Sequence, residues 1–207
     1  MMSEYLNQTE EQEFNNVKKW FKENGTPILV VICVISLSIF GWKFWQNHKL
    51  QATQQASATY QAVVESYIKN PEKNQPLVEK FISENKDTSY AVFSALELAK
   101  KQVEAKEFTK AQSTLQNTLP NTEDATLQNI IRLRLAMVDY QLKQFDDALT
   151  VLSQVEGKAW DLRKQILTGD ILVAKGDIAA AKSAYQQAKA NAPINVQSLI
   201  DIRINNL

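Results

Sequence analysis

The longest uninterrupted apolar stretch of the chain is Pro27–Trp45. Up to Trp42 it carries no charge, and its nineteen residues would form a helix of roughly 28 Å, about the thickness of a bilayer's hydrocarbon core. Trp42, Lys43 and Trp45 lie at its far end, where aromatic rings and snorkelling lysines anchor a helix at the membrane interface. The pattern predicts a transmembrane helix over 27–45 rather than a buried core segment.

A cleaved signal peptide is the alternative interpretation of this stretch. The preceding segment is about 26 residues long and carries several glutamates, which is atypical of a short basic n-region. Ala56-Ser57-Ala58 has the small-x-small form of a cleavage site, but it lies more than ten residues past the aromatic rings, inside a predicted helix. We therefore favour an anchor that stays attached.

The charges that flank the span predict its orientation. Three lysines precede it and two follow it closely (Lys18, Lys19 and Lys22; then Lys43 and Lys49). Because basic residues favour the cytoplasmic side, residues 1–26 are predicted to be a cytoplasmic tail. Within the tail, residues 10–22 read as a short interfacial helix, and a turn is expected at Asn24-Gly25-Thr26-Pro27.

The rest of the chain is poor in helix breakers. It holds five glycines and five prolines in all and is rich in Ala, Gln, Leu and Lys, so we predict an all-α fold without strands. Residues 46–87 read as a helical linker with capping helices. A break is expected at Asn70-Pro71, and a further short helix is expected to start at Pro76.

An internal repeat follows residue 88. In three segments a small residue is followed twelve positions later by alanine, and four positions after that by a large apolar side chain. The sets are Ala99, Ala111 and Leu115; Ala136, Ala148 and Leu152; and Gly169, Ala181 and Tyr185. Polar turns separate the small residues, at Lys106-Glu107-Phe108, Lys143-Gln144-Phe145 and Lys175-Gly176-Asp177.

This pattern is typical of paired antiparallel helices that approach closely at small side chains. Neighbouring pairs must stack to cover their apolar faces, so residues 88–207 are predicted to form a tetratricopeptide-like solenoid rather than an irregular bundle. The first helix of each pair would line a groove for an extended peptide or a partner helix, unless its apolar members are core. The predicted groove residues are Phe93, Leu96, Lys100, Ile130, Met137, Tyr140, Arg163 and Asp170.

No pattern of catalytic residues is recognisable. The chain has one cysteine, Cys33, inside the apolar stretch and one histidine, His48, next to it. Phosphate-binding glycine motifs, zinc-binding motifs and nucleophile motifs are absent from the sequence. The 23 basic and 23 acidic residues form no basic stripe for nucleic acid. We therefore expect a protein that is not an enzyme and has no cofactor, metal site, small-molecule substrate or nucleic-acid partner.

Several short motifs make the chain similar to the YfgM family, the ancillary subunit of the bacterial SecYEG translocon. They are residues 41–45 (GWKFW), 79–81 (EKF), 84–86 (ENK), 96–99 (LELA), 133–136 (LRLA), 141–144 (QLKQ) and 204–207 (INNL). The resemblance covers almost the whole chain in the same order, and the tail before Val17 is its least similar part.

The resemblance implies an inner-membrane protein of Gram-negative bacteria with its repeat domain in the periplasm. It implies association with SecYEG and with the membrane-anchored chaperone PpiD, and help for newly translocated client polypeptides in reaching periplasmic chaperones. It also implies a link to the regulator RcsB. The alternative function is a structural membrane scaffold whose transmembrane helix alone carries partner recognition.

Overall fold

A computed structural model describes the backbone of residues 2–207 and the side chains of residues 13–207. Within this range the chain is all-α, with nine α-helices and no strand, as predicted. It divides into two compact units, with the boundary between Gln51 and Ala52. The helices are α1 (Met2–Lys69), α2 (Pro71–Glu84), α3 (Ser89–Glu104), α4 (Phe108–Thr118), α5 (Ala125–Gln141), α6 (Phe145–Ser153), α7 (Lys158–Lys175), α8 (Ile178–Ala190) and α9 (Ile194–Asn205).

In the first unit, α1 continues without interruption through residues 24–27, so the expected turn there is wrong. Pro27 lies inside the helix, where it removes one N–H donor from the backbone ladder. The Asn24 side chain donates from Nδ2 to the Trp20 carbonyl at 3.0 Å, which places its amide along the helix instead of in a turn. The proline does not end the helix here, although Gly25 and Thr26 before it have low helix propensity.

The apolar stretch of α1 is exposed along its length. From Leu29 to Phe40 its large apolar side chains have no buried member, and the helix is long and apolar enough to cross a membrane. Ser38 donates from its hydroxyl to the Val34 carbonyl at 2.8 Å, which satisfies that polar group within the helix. At the far end the rings of Trp42 and Trp45 lie 5.5 Å apart.

In the second unit, consecutive helices pair as antiparallel hairpins. The pairs are α3 with α4, α5 with α6, and α7 with α8, and the first helices of successive pairs contact each other. Helix α9 packs on α8. This succession of stacked pairs is the predicted solenoid.

A further hairpin precedes these three pairs. The C-terminal part of α1, from residue 52, folds back onto α2, with Asn74 Nδ2 donating to the Ser66 carbonyl at 2.7 Å. Tyr67 and Val78 are buried together against Leu98 of α3. Residues 52–84, which lie within the predicted linker, therefore belong to the same compact unit as the repeats.

Helix α2 begins five residues earlier than expected. Asn70 is its N-cap and accepts a hydrogen bond from the Lys73 amide at 3.2 Å, and Pro71 takes the first helical position. That position tolerates proline because its amide has no intrahelical acceptor. The expectation of a helix start at Pro76 is wrong, since Pro76 lies inside α2.

The small residues of the repeat lie where the paired helices meet. All six are buried, and so are the three large side chains, which confirms the predicted packing. They are Ala99, Ala111 and Leu115; Ala136, Ala148 and Leu152; and Gly169, Ala181 and Tyr185.

Each pair is joined by the same turn. One residue adopts left-handed φ (61° at Lys106, 60° at Lys143 and 91° at Gly176), and the next amide donates to a carbonyl five residues back. This is the Schellman C-cap, for which glycine is favoured because it has no Cβ. The third turn thus corresponds to Gly176-Asp177-Ile178, one residue later than the sequence alignment placed it.

We predict that Gly169→Ala destabilises the third pair. A methyl group at residue 169 would overlap the Tyr185 ring, coming within 2.8 Å of Cζ. Overpacking of this kind costs about 1–3 kcal/mol, whereas alanine in an open helix position would gain about 1 kcal/mol over glycine. Thermal unfolding of the purified full chain in detergent, followed by circular dichroism, measures the change.

The matched control is the double variant Gly169→Ala/Tyr185→Leu. It reproduces the Ala99–Leu115 and Ala136–Leu152 combinations of the first two pairs. It should recover much of the lost stability. A double variant less stable than Gly169→Ala alone would contradict the steric explanation.

Candidate partner-binding groove

The eight predicted groove residues divide into three groups. Phe93, Lys100, Met137 and Arg163 are exposed, Ile130, Tyr140 and Asp170 are half-buried, and Leu96 is buried. The four exposed residues lie on the first helices of three successive pairs, on α3, α5 and α7.

Apart from Tyr140, the exposed and half-buried members occupy two positions of the repeat. Phe93, Ile130 and Arg163 share one position, and Lys100, Met137 and Asp170 share the other, with the same 37- and 33-residue spacing as the small residues. Because α3 contacts α5 and α5 contacts α7, the two positions form two adjacent rows across the first helices. We call these six residues the strip.

Leu96 and Tyr140 lie in the core between paired helices. Leu96 packs with Ala99 and Leu115, and its carbonyl accepts a hydrogen bond from Arg134 Nη1 of α5 at 3.2 Å. Tyr140 packs against the second core cluster, with its ring 6.1 Å from that of Phe145. Both positions face the second helix of their own pair, so the strip excludes them.

Asp170 is engaged inside the molecule. Its carboxylate accepts hydrogen bonds from the Tyr185 hydroxyl at 2.7 Å and from Arg203 Nε at 3.3 Å. Burial and the bond to Asp170 raise the pKa of Tyr185 well above its usual value, so the phenol stays protonated and donates. Arg203, which the sequence analysis missed, stands 33 residues after Asp170, the spacing of the last two repeats.

The open part of the strip combines apolar and cationic side chains. Phe93 and Met137 offer apolar surface, and Arg163 is an exposed cation. Lys100 is ion-paired with Glu97 on its own helix at 3.3 Å, a contact that water screens because the lysine is exposed. Such a surface can bind a polypeptide through side-chain packing and hydrogen bonds. Among residues 13–207 no group of three or more metal-ligating side chains converges on it or elsewhere.

A separate cavity of about 520 Å³ opens between the start of α5 and the end of α6. Its lining is polar and includes Gln128, Arg132, Ser153 and Glu156. No residue of the strip lines it, so the strip is not a part of this cavity.

Comparison with known proteins is consistent with both the fold and the anchor. Residues 18–207 match the family model of the tetratricopeptide repeat-like domain. Over 198 residues the chain is 41% identical to the ancillary SecYEG translocon subunit of Haemophilus influenzae, covering 96% of this chain and 97% of that one. It is 35% identical to the protein of the same name from Escherichia coli over 201 residues, or 97% of each chain. The chain belongs to the family of ancillary SecYEG translocon subunits.

A solved structure supports the fold independently. MamA from Desulfovibrio magneticus RS-1 superposes with a TM-score of 0.55 over 72% of this chain and 86% of its own, at 15% sequence identity. At that identity the likeness concerns the fold alone. Together with the exposed apolar helix, the family relationship fits a membrane-anchored repeat protein.

A buried carboxyl lies where α4 and α5 meet. Asp139, in the last turn of α5, is 1% exposed, and its Oδ1 accepts a hydrogen bond from Gln112 Nε2 of α4 at 2.7 Å. Burial raises the pKa of this carboxyl; the Gln112 bond opposes the rise and the negative charge of Asp147 adds to it. Its position near a helix C-terminus also disfavours a negative charge.

We predict that Asp139→Asn stabilises the protein at pH 7 and that this gain shrinks as the pH falls towards 4. A carboxyl whose folded-state pKa is raised binds its proton more tightly in the native state, so it favours folding at low pH and loses that contribution as the pH rises through the folded pKa. Asparagine keeps an oxygen that can accept from Gln112 without the buried charge. Thermal unfolding at the two pH values measures the difference.

Asp87→Asn, at an exposed carboxylate, is the control and should change stability little at either pH. If Asp139→Asn were destabilising at pH 7 and neutral at pH 4, the charged Gln112–Asp139 bond would outweigh the burial cost and the prediction would be wrong.

Proposed function

We propose that the chain is a non-catalytic, membrane-anchored subunit that associates with the SecYEG translocon and helps newly translocated proteins reach periplasmic chaperones. One observation carries the proposal: the strip presents open apolar and cationic side chains across three successive first helices. The relatives' name supplies the translocon as the assembly to test.

The proposed topology has one membrane crossing. Residues 1–26 form a cytoplasmic tail, 27–45 cross the inner membrane, 46–87 form the linker with its capping hairpin, and 88–207 form the repeat domain in the periplasm. The three lysines before the span against two close behind it support this orientation.

The proposed partners follow from this topology. SecYEG shares the membrane with the anchor, while PpiD and client polypeptides meet the strip in the periplasm. RcsB would be reached by the cytoplasmic tail or by a soluble form of the protein. Anchoring raises the local concentration of the strip near the translocon, so weak contacts are sufficient for binding.

The strip suits a partner segment that has both apolar and acidic residues. Phe93 and Met137 would contact the apolar side chains, and Arg163 would pair with a carboxylate. Half-buried Ile130 lies between Phe93 and Arg163 in its row. It packs against the core cluster that contains Leu96 and Leu115, so the middle of the row is held in place by the core.

We expect Met137→Ser and Arg163→Glu to weaken recovery of PpiD and client chains with the full-length protein. Each removes an exposed side chain of the strip without opening the core. A loss of about 1.4 kcal/mol would lower the affinity about tenfold. Affinity purification after crosslinking in intact cells, with quantification of the recovered partners, measures the effect.

Two matched variants on α8 serve as controls. Ile178→Ser and Lys182→Glu make the same kinds of change at exposed positions outside the strip, and recovery should stay normal. Equal recovery with the strip variants and the controls would remove the strip from the proposal.

The second candidate function is a structural membrane scaffold whose transmembrane helix alone recognises the partner. The side chains at the end of that helix favour it. The rings of Trp42 and Trp45 lie near each other at its end, tilted by 41°, and Lys49 Nζ lies 4.2 Å from the centre of the Trp45 ring. These side chains and Lys43 would carry recognition of the translocon.

Replacing residues 27–45 by an unrelated transmembrane helix distinguishes the two candidates. If the repeat domain carries recognition, association with SecYEG survives the replacement, because the strip is intact. If the span carries it, association is lost while Met137→Ser and Arg163→Glu behave like the unmodified chain. Recovery of SecYEG after solubilisation in mild detergent is the measurement.

A further inference from the structure

The polar cavity between α5 and α6 is formed where the second pair departs from the repeat pattern. Asn129 of α5 stands where the first and third pairs hold Val92 and Leu162. It is 4% exposed, its Nδ2 donates to the Glu156 carbonyl at 2.8 Å, and its Oδ1 accepts from the Glu156 amide at 3.4 Å. These two bonds hold the loop after α6 against α5, and that loop forms one wall of the cavity.

Arg132, one turn further along α5, brings a positive charge to the cavity. It stands where the other two pairs hold Ala95 and Gln165. Its Nε is buried without a hydrogen-bond partner among residues 13–207, and no ion pair of that range includes its guanidinium. The side chain as a whole is half-buried and lines the cavity, so its terminal nitrogens are the part that a ligand can reach. A partly desolvated guanidinium without an acceptor is unfavourable, and an anion in the cavity would supply the acceptor.

The other charges around the cavity favour a ligand with one negative charge over a ligand with two. Lys164 Nζ donates to the carbonyls of Ser153 and Val155, at 3.2 and 2.8 Å, which places a second cation beside the end of α6. Of the residues that line the cavity, Glu156 alone is acidic, and its side chain is exposed. Asp124 already caps α5 by accepting from the Leu127 amide at 2.9 Å. Because of these two acids, a dianion such as phosphate is repelled more strongly than a singly charged carboxylate.

The remaining lining groups suit a piece of polypeptide. Gln128 lies on the α5 side and Gln154 at the end of α6. The Gln128 amide donates from Nε2 to the Thr122 carbonyl at 2.8 Å, so its oxygen is left to accept from a ligand. Side-chain amides match the donors and acceptors of a peptide backbone. The volume of about 520 Å³ lies within the range of small-ligand sites and exceeds what a carboxylate alone needs.

We propose that this cavity binds a carboxylate of a polypeptide, which the terminal nitrogens of Arg132 hold through charge-assisted hydrogen bonds. The planar guanidinium matches the two oxygens of a carboxylate. Either the C-terminus of a chain or an acidic side chain can supply this group, and the chemistry at Arg132 is the same for both. The site is separate from the strip, none of whose six residues lines it, and it does not depend on the proposed role at the translocon.

NMR of the full chain in detergent, with isotopically labelled arginine, tests the proposal. The chain has four arginines, at residues 132, 134, 163 and 203, so the Nε–Hε region contains four signals, which Arg→Lys variants assign. Because the Arg132 Nε is buried, its proton is shielded from exchange with water. The probes are acetyl-trialanine with a free C-terminus, the C-terminal amide of the same peptide, an amidated alanine-glutamate-alanine peptide, and inorganic phosphate.

We expect at least one of the two acidic peptides to shift the Arg132 signal saturably, about tenfold more tightly than any effect at the exposed Arg163. The amide of trialanine should leave the signal unchanged. A response to the free C-terminus alone assigns chain ends as the source, and a response to the glutamate peptide assigns acidic side chains. An Arg132 signal that ignores both acidic peptides, responds equally to the amide, follows phosphate more strongly, or behaves like Arg163 would overturn the proposal.

A competing carboxylate built into the cavity gives a second test. Gln154→Glu should weaken the Arg132 response to the acidic peptides about tenfold. Gln187→Glu makes the same change 33 residues later, at the equivalent exposed position of the third pair, where Gln165 replaces the arginine, and the response should stay normal. Both substitutions are at exposed positions, and thermal unfolding checks that the domain remains folded. Equal affinities in the two variants would show that the peptides bind elsewhere.

Discussion

The second compact unit depends on the close approach of two helices at a pair of small side chains. Ala99 with Ala111, Ala136 with Ala148, and Gly169 with Ala181 are buried where the helices of a pair meet. Large side chains one turn later, such as Leu115 and Leu152, fill the space beside each contact. Each pair alone would leave an apolar face in water. A pair is therefore stable only when it stacks on a neighbouring pair.

That constraint also determines which side chains of the first helices stay exposed. A first helix packs against its own second helix and against neighbouring pairs, so only a narrow part of its circumference stays open. Leu96 and Tyr140 lie one turn from the exposed residues Phe93 and Met137, but they pack into the core. The exposed members of the strip, Phe93, Lys100, Met137 and Arg163, stand at two positions of the repeat that the stacking leaves open, and they give the strip its mixed apolar and cationic character.

Patterns that extend over many residues were predictable from the sequence. The local outcome at single residues, such as a proline, was not. The membrane helix and the repeat each rest on many residues, so single exceptions do not obscure them. The continuation of α1 through Pro27 and the start of α2 at Pro71 were missed, because a proline permits several outcomes that its neighbours decide. The hydrogen bonds of Asp170 with Tyr185 and Arg203 join segments that are distant in sequence. They were missed because a spacing pattern does not show which polar atoms meet.

The glycine at residue 169 has an effect that reaches the end of the chain. Omitting one methyl group makes room for an aromatic ring where the other repeats hold leucine, and a phenol brings a hydroxyl that leucine lacks. This hydroxyl fixes the Asp170 carboxylate, which in turn fixes the Arg203 guanidinium on the last helix. The position of the Arg203 side chain on the terminal helix thus traces back, through two hydrogen bonds, to a single missing carbon atom in the interior.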